Sequence, residues 1–306
     1  MIKAVDFSFD DWSAHERRAV EQALAAWVAN PLAVPGPAKL GEAMRYAVLN
    51  GGKRLRPLLV LAACQAVAGN SDAAMRAACA VELIHAYSLV HDDLPCMDND
   101  LLRRGKPTVH VEFGQACALL AGDALQALAF EVLTPDDGSV EVALQARLCR
   151  MLAQAAGYQG MAGGQAIDLA SVGLRLDSRQ LHQMHRLKTG ALLQASVWMG
   201  ASCGSPSPEV MAALGNYGAA VGLAFQVIDD VLDVTGNSAT LGKTAGKDAM
   251  HEKPTFVSIM GLDGSKAYAQ QLLGNALSSL DTLEADNLPA TAALRALADM
   301  LVNRQH

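Results

Sequence analysis

The chain has 306 residues, 51% of them hydrophobic and 18% charged, enough to bury a large core. Its formal net charge of −7 excludes general nucleic-acid binding, which needs a basic surface, but still allows a local basic pocket. Aromatics make up only 5%, so Ala and Leu fill the apolar share and favour helix over strand.

Helical spacing begins over residues 10–29, where Trp12, Val20, Leu24, Trp27 and Val28 repeat until Asn30-Pro31 ends the run. Val34-Pro35-Gly36-Pro37 reads as a linker. The pattern predicts further helices at about 38–49, 54–69, 71–92, 112–133, 138–157, 178–203, 207–234, 265–285 and 288–303. Ser71-Asp72, Ser178 and Ser207-Pro208 supply start signals. Gly51-Gly52, Pro95, Gly105-Lys106-Pro107, Pro135, Gly163-Gly164, Pro206, Gly236 and Gly242 supply breaks. No strand pattern appears. Residues 77–91 and 217–228 are apolar nearly all round, which places them at the centre of a bundle. No composition shift marks a second domain. Residues 1–306 are therefore expected to form one all-α domain, with 1–37 as N-terminal helix and linker. The apolar surplus suits a homodimer.

The cysteines Cys64, Cys79, Cys96, Cys117, Cys149 and Cys203 contain no C-x-x-C pair and read as reduced thiols of a cytoplasmic protein. The first residues, MIKAVDFSFDDWSAHERR, lack an apolar signal core. No uninterrupted apolar run reaches the roughly 18 residues of a membrane span.

Two acidic clusters carry the chemistry. Residues 92–98 read Asp-Asp-Leu-Pro-Cys-Met-Asp, and residues 229–233 read Asp-Asp-Val-Leu-Asp. Asp229 and Asp233 share a helix face, with Cβ atoms about 5–6 Å apart, a repulsive pairing unless a cation lies between them. In the first cluster Pro95 disturbs the helix, so the chain can bulge and return Asp98 to Asp92. A lone Asp-Asp-x-x-Asp is most often a solvated helix end. Two of them, each closing an apolar run, suggest magnesium banks facing across a cavity, because hard cations take carboxylate and phosphate oxygens.

Basic groups stand near both. Gly51-Gly52-Lys53-Arg54-Leu55-Arg56-Pro57 brings three cations to a helix start, and glycine amides there suit anions. Arg103 and Arg104 follow the first bank, and Lys188-Thr189-Gly190 and residues 241–248 add lysines. Gly242-Lys243-Thr244 is not a phosphate-binding P-loop, since position 237 is Asn and no strand precedes it. His182 and His185, three apart, have no Cys or further His beside them and read as a polar helix face rather than a zinc site. Cys96 reads as space-filling, and Asp123 and Asp168 as structural acids near the cavity.

These motifs resemble those of the trans-isoprenyl diphosphate synthases, bacterial farnesyl diphosphate synthase type, from about residue 38 onward. They are Gly-Gly-Lys-Arg-Leu-Arg-Pro at 51–57, the run from Glu82 to Asp93, Gly163-Gly164-Gln165-Ala166-Ile167-Asp168, Lys188-Thr189-Gly190 and the run from Phe225 to Asp233. The resemblance implies a single large helical bundle around a deep central cavity, the isoprenoid synthase type, usually homodimeric. It also implies several Mg2+ ions bridging an allylic diphosphate. Asp92, Asp98 and Asp229 would ligate metal, with Asp93, Asp230 and Asp233 as ligands or support. Lys53, Arg56, His85 and Arg104 would hold isopentenyl diphosphate. Arg103, Lys188, Thr189, Gln226, Lys243 and Lys253 would hold the allylic diphosphate. Leu101 and Pro254 depart from the family pattern, at positions where many members carry Asp and Ser or Thr.

The implied reaction starts with loss of diphosphate to leave an allylic cation, which isopentenyl diphosphate then attacks. It needs charge stabilisation and a dry site, and no side-chain nucleophile. Arg103, Lys188, Thr189 and Gln226 are the catalytic candidates. Thr189 and Gln226 would present oxygens toward the cation. Tyr87 and Ser88 lie five and four residues before Asp92, roughly 6–7.5 Å below it along the helix. A ring at Tyr87 forms a floor that stops growth, and family members with an aromatic there stop at fifteen carbons. The alternatives are a geranylgeranyl or geranyl diphosphate product, a cyclising terpene synthase, and a non-catalytic partner subunit. The complete Asp and Arg set speaks against the last of these.

Overall fold

The computed structural model describes residues 7–28, 39–174, 176–235, 255–284 and 291–304. The described residues fold as an all-α bundle with one minimal hairpin. The helices are α1 (Phe9–Trp27), α2 (Leu40–Leu49), α3 (Leu55–Ala66), α4 (Ser71–Asp92), α5 (Val109–Phe113), α6 (Gln115–Leu133), α7 (Val142–Ala156), α8 (Met161–Ala170) and α9 (Ser178–His185). They continue with α10 (Ala191–Ser202), α11 (Pro208–Thr235), α12 (Phe256–Glu284) and α13 (Ala292–Val302). Side-chain caps fix several starts. Asn70 Oδ1 accepts from Ala73 N at 2.9 Å, and Asp177 and Gln180 close a reciprocal capping box on α9. Ser207 Oγ accepts from Val210 N at 3.3 Å, with Pro208 in the first turn of α11.

The structure departs from the sequence expectation in four places. Leu102–Arg103 pairs antiparallel with Lys106–Pro107, two strands too short to leave an alternating pattern. Arg104 (φ 53°) and Gly105 (φ 74°) form the tight turn between them. Helix α8 runs straight through Gly163-Gly164, expected as a break. A Cβ on Gly164 would lie 2.1 Å from Lys188 N, so this glycine serves close backbone approach rather than termination. The expected helix over 178–203 holds a π-helical turn, Arg186–Gly190, between α9 and α10. Helix α12 starts at Phe256 rather than near residue 265 and kinks at Gly261 (φ 75°).

Two apolar cores share α3 and α10 as a common wall. One gathers α1, α2, α4, α6 and α7, and the other gathers α9, α11, α12 and α13. The wall is tight, since a Cβ on Gly200 of α10 would meet Val60 O of α3 at 2.0 Å. Helices α4, α6 and α11 are each long and apolar enough to cross a membrane by length and composition, although none is an unbroken apolar run. In the bundle α4 and α11 are mostly interior, 67% and 56% buried over those windows, while α6 is 39% buried.

Candidate active site

Helix α4 carries His85, Ser88 and Asp92 on one stripe, since residues three and seven apart share a face. The chain leaves α4 through a turn in which Asp98 N donates to Asp92 O at 2.8 Å. The bulge at Pro95 thus returns Asp98 to Asp92, as the spacing predicts. Burial pushes the Asp92 carboxyl up to about 6. Lys188 draws it down, and neighbouring Asp98 adds to the rise. Such crowded carboxylates at one helix end fit a divalent cation. Among the described residues no three His, Cys, Asp or Glu side chains converge as a ready cage.

Asp93 points elsewhere. Its carboxylate is buried and takes Arg103 Nε at 2.9 Å on both oxygens and Nη2 at 2.5 Å. Arg103, read from the sequence as an allylic-diphosphate ligand, is therefore held on Asp93, with Asp100 at 3.8 Å. Asp93 is a bracing acid here rather than an outward ligand. Cys96, read as space-filling, is exposed.

A guanidinium cluster surrounds His85. Burial holds its imidazole well below its ordinary pKa, reinforced by Arg56, Arg104, Arg103 and Arg54. The ring is neutral and can donate one N–H to an anion. Arg54 is committed inward, to Glu21 at 2.7 Å, Glu82 at 2.6 Å and Val48 O at 2.7 Å. Arg56 Nε is buried with no hydrogen-bond partner. Burial lowers the Arg56 guanidinium, against attraction from Glu82 and Asp229. Arg104 donates to Gly51 O and lies beside Gly52. Burial likewise lowers Lys53, with Arg304 lowering it further and Asp229 raising it. A small cleft lies beside this cluster, lined by Tyr46, Asn50, Asp93, Arg103, Arg104 and Lys106, among others.

The π turn faces α11. Lys188 Nζ pairs with Asp168 Oδ2 at 2.7 Å, so Asp168 is the counter-ion of Lys188. Thr189 Oγ1 donates to Gln226 Oε1 at 3.1 Å, and Gln226 Nε2 donates to Asp230 Oδ1 at 2.9 Å. Asp230 Oδ2 accepts from Phe256 N at 2.8 Å. Asp230 is buried and both its oxygens serve internal bonds, so it sets Gln226 rather than facing outward. Asp233 is also buried. Asp229 is the open acid of this motif, its side chain 37% exposed, with Arg304 Nη2 at 3.1 Å from Oδ1.

His185 is no surface residue. It is 6% exposed, stacked on Phe256 at 5.3 Å, with Nε2 at 4.0 Å from Asp230 Oδ2. His182 fits neither zinc nor a free polar face, because its Nε2 meets Tyr268 Oη at 3.0 Å. Asp123 is exposed, 4.0 Å from His91 Nε2. Tyr87 is 9% exposed, with its ring edge-on to His91 at 5.7 Å, and Ser88 Oγ donates to His85 O at 2.9 Å. Lys243, Lys247, Lys253 and Pro254 lie outside the described residues. Sequence reasoning missed Arg304, which sits past the last helix in no motif.

Acidic motifs thus stand at the ends of two mostly interior helices, with Lys53 near Asp229 and Lys188 near Asp92. The family pattern described as Polyprenyl synthetase matches residues 37–292. The chain belongs to the polyprenyl synthetase family. It is 48% identical over 276 residues to the Arabidopsis thaliana heterodimeric geranylgeranyl pyrophosphate synthase large subunit 1, covering 88% of this chain and 73% of that one. It is 46% identical over 271 residues to the farnesyl diphosphate synthase of Haemophilus influenzae, covering 88% and 90%. Among solved structures, the Helicobacter pylori geranyltransferase complexed with magnesium and isoprenyl diphosphate superposes with TM-score 0.83 at 36% identity, covering 98% of each chain. The Zymomonas mobilis FPP/GFPP synthase superposes with TM-score 0.82 at 39% identity, covering 96% and 98%. The chain is thus an all-α isoprenoid-synthase-type prenyltransferase.

Proposed function

We propose that this prenyltransferase condenses dimethylallyl or geranyl diphosphate with isopentenyl diphosphate, head to tail, to give mainly farnesyl diphosphate. The observation that carries the reading is that one α4 stripe carries both Asp92 and a neutral histidine set among guanidinium groups. Asp92 and Asp98 meet at its end, and His85 lies two turns back among Arg56, Arg103 and Arg104. The stripe suits a metal-bound allylic diphosphate beside a second, metal-free one. Asp92, Asp98 and Asp229 would hold magnesium, which when bound supplies positive charge to the leaving diphosphate.

The protein's own groups do the rest. Lys188 moves between Asp168 and the departing oxygens, and Arg103 backs the first bank through Asp93. Thr189 donates its proton to Gln226 and keeps its oxygen lone pairs for the allylic carbon as positive charge develops there. Lys53, Arg56, Arg104 and His85 fix the isopentenyl diphosphate so that its double bond attacks. Lys243 and Lys253 join the allylic-diphosphate set. The released diphosphate takes the proton, and apolar walls exclude water from the cation.

Fifteen carbons is the proposed stop because Tyr87 closes the α4 wall below Asp92. Relatives named for geranylgeranyl products favour a second reading, with twenty carbons. Chromatography of dephosphorylated products decides between them: a dominant twenty-carbon alcohol from the purified wild-type chain overturns the first. Tyr87→Ala is expected to lengthen the product. Asp92→Ala and Asp229→Ala are expected to lower condensation by at least about a hundredfold, and near-normal rates would overturn the metal-bank assignment.

A homodimer, cytoplasmic in location, belongs to the same proposal. Helix α6 presents Leu119 (48% exposed) and Leu120 (55%) outward, an apolar face suited to a second copy. A monomeric mass in sedimentation would overturn it.

A further inference from the structure

Arg103 and Arg104 stand on a hairpin too small to hold itself. It pairs only Leu102 with Pro107 and Arg103 with Lys106, and Pro107 has no N–H to give the ladder. Its base is tied by Thr108, whose N and Oγ1 donate to Leu101 O at 3.0 Å and Asp100 O at 2.7 Å. Its tip is held from the end of α2. Tyr46 and the C-cap Asn50 are four apart and lie on one side of that helix. Tyr46 Oη donates to Pro107 O at 2.8 Å, and Lys106 Nζ donates to Asn50 Oδ1 at 2.9 Å. One side of α2 thus grips two successive residues of the second strand. The Tyr46 ring is itself fixed, edge-on to Phe113 at 5.4 Å. Beyond Asn50 the chain turns through Gly51 (φ 79°) and Gly52 (φ 143°), and the Arg104 guanidinium reaches back to Gly51 O. A Cβ on Gly52 would lie 3.0 Å from Arg104 Nη1, so the guanidinium rests on bare main chain just ahead of Lys53.

The geometry points to Tyr46 and Asn50 as positioning residues for isopentenyl diphosphate, clamping the hairpin that bears Arg104 against the glycine loop that bears Lys53. This rests on the proposed assignment of Lys53, Arg56, His85 and Arg104 to that diphosphate, and it names what brings two of them together from separate segments. Tyr46 and Asn50 act through Arg104 rather than on the diphosphate itself. A multiply charged anion binds best where its cations already stand in place, because gathering them costs ordering entropy and mutual repulsion. Arg103 depends less on the clamp, since the Asp93 carboxylate holds it from the α4 side. The clamp therefore acts on the isopentenyl site and leaves the allylic one alone.

The test uses the purified full chain with Mg2+, geranyl diphosphate and isopentenyl diphosphate, and reads KM for each substrate beside kcat. Tyr46→Phe removes the hydroxyl and keeps the ring against Phe113, and Asn50→Ala removes the acceptor of Lys106. Each is expected to raise KM for isopentenyl diphosphate about two- to tenfold, the reach of one hydrogen bond, with KM for geranyl diphosphate and kcat as in the wild type. The double variant should exceed either single one, since two separate bonds are lost. A merely structural role would lower the folded fraction, and so kcat, and leave both KM values in place. That outcome, or equal rises for both substrates, would overturn the clamp. Arg104→Ala separates the clamp from the assignment beneath it. A raised KM for isopentenyl diphosphate there, with wild-type values in both single variants, would overturn the clamp and leave the assignment standing. An unchanged KM from Arg104→Ala would overturn the assignment and the clamp together.

Discussion

Arg304 lies 3.1 Å from Asp229 Oδ1 and stacks over the Phe225 ring at 4.4 Å, joining the residues after α13 to the second acidic motif. A guanidinium there occupies the position of a counter-ion to the open carboxylate of α11. Magnesium arriving at Asp229 must displace it. Arg304→Ala is therefore expected to lower the half-saturating Mg2+ concentration about two- to fivefold in titration calorimetry without substrate. An unchanged titration would make the pair incidental.

Asp229 and Asp230 are adjacent but differ in duty. Asp230→Ala strips partners from Gln226 Nε2 and Phe256 N in a buried setting and is expected to cost about 2–4 kcal/mol in urea unfolding. Asp229→Ala is expected to leave unfolding within about 1 kcal/mol and lose Mg2+ binding instead. Equal destabilisation by both would contradict the division.

Asp93 and Arg103 should behave as one unit. Arg103→Ala strands a carboxylate whose side chain is 3% exposed. With Arg103 itself about a third open to solvent, the expected cost is about 2–3 kcal/mol. Removing both charges should recover most of it, and a double variant as unstable as the sum would argue against the pairing.

Burial pushes the His185 imidazole down to about 3, whereas an unfolded histidine titrates near 6.5. The folded chain then binds fewer protons than the unfolded one between those values. Stability is intact above about 6.5 and falls with acid at about 1.4 kcal/mol per pH unit from this group. His185→Gln should lose about 1 kcal/mol less between pH 6 and pH 5 in chemical denaturation. Parallel acid profiles would place the acid sensitivity elsewhere.

Much of this was legible in the sequence because the signals were local. Apolar periodicity marked the long helices, and Pro95 announced the bulge that returns Asp98 to Asp92. The site's inner bonding was not legible. Nothing in Asp-Asp-x-x-Asp says that the second acid turns inward, because that is decided by Phe256 N arriving from α12. Arg304 reaches Asp229 across 75 positions, beyond any local pattern. Gly163-Gly164 misled because glycine marks both helix ends and close contacts, and only the neighbouring backbone tells which.

That neighbouring backbone has a mechanical consequence. With the main chain of α8 at Gly164 against the main chain at Lys188, the spacing of the two backbones is set by atoms that cannot swing aside. The lysine side chain therefore swings from a fixed root, and its ammonium can leave Asp168 without any shift of the main chain.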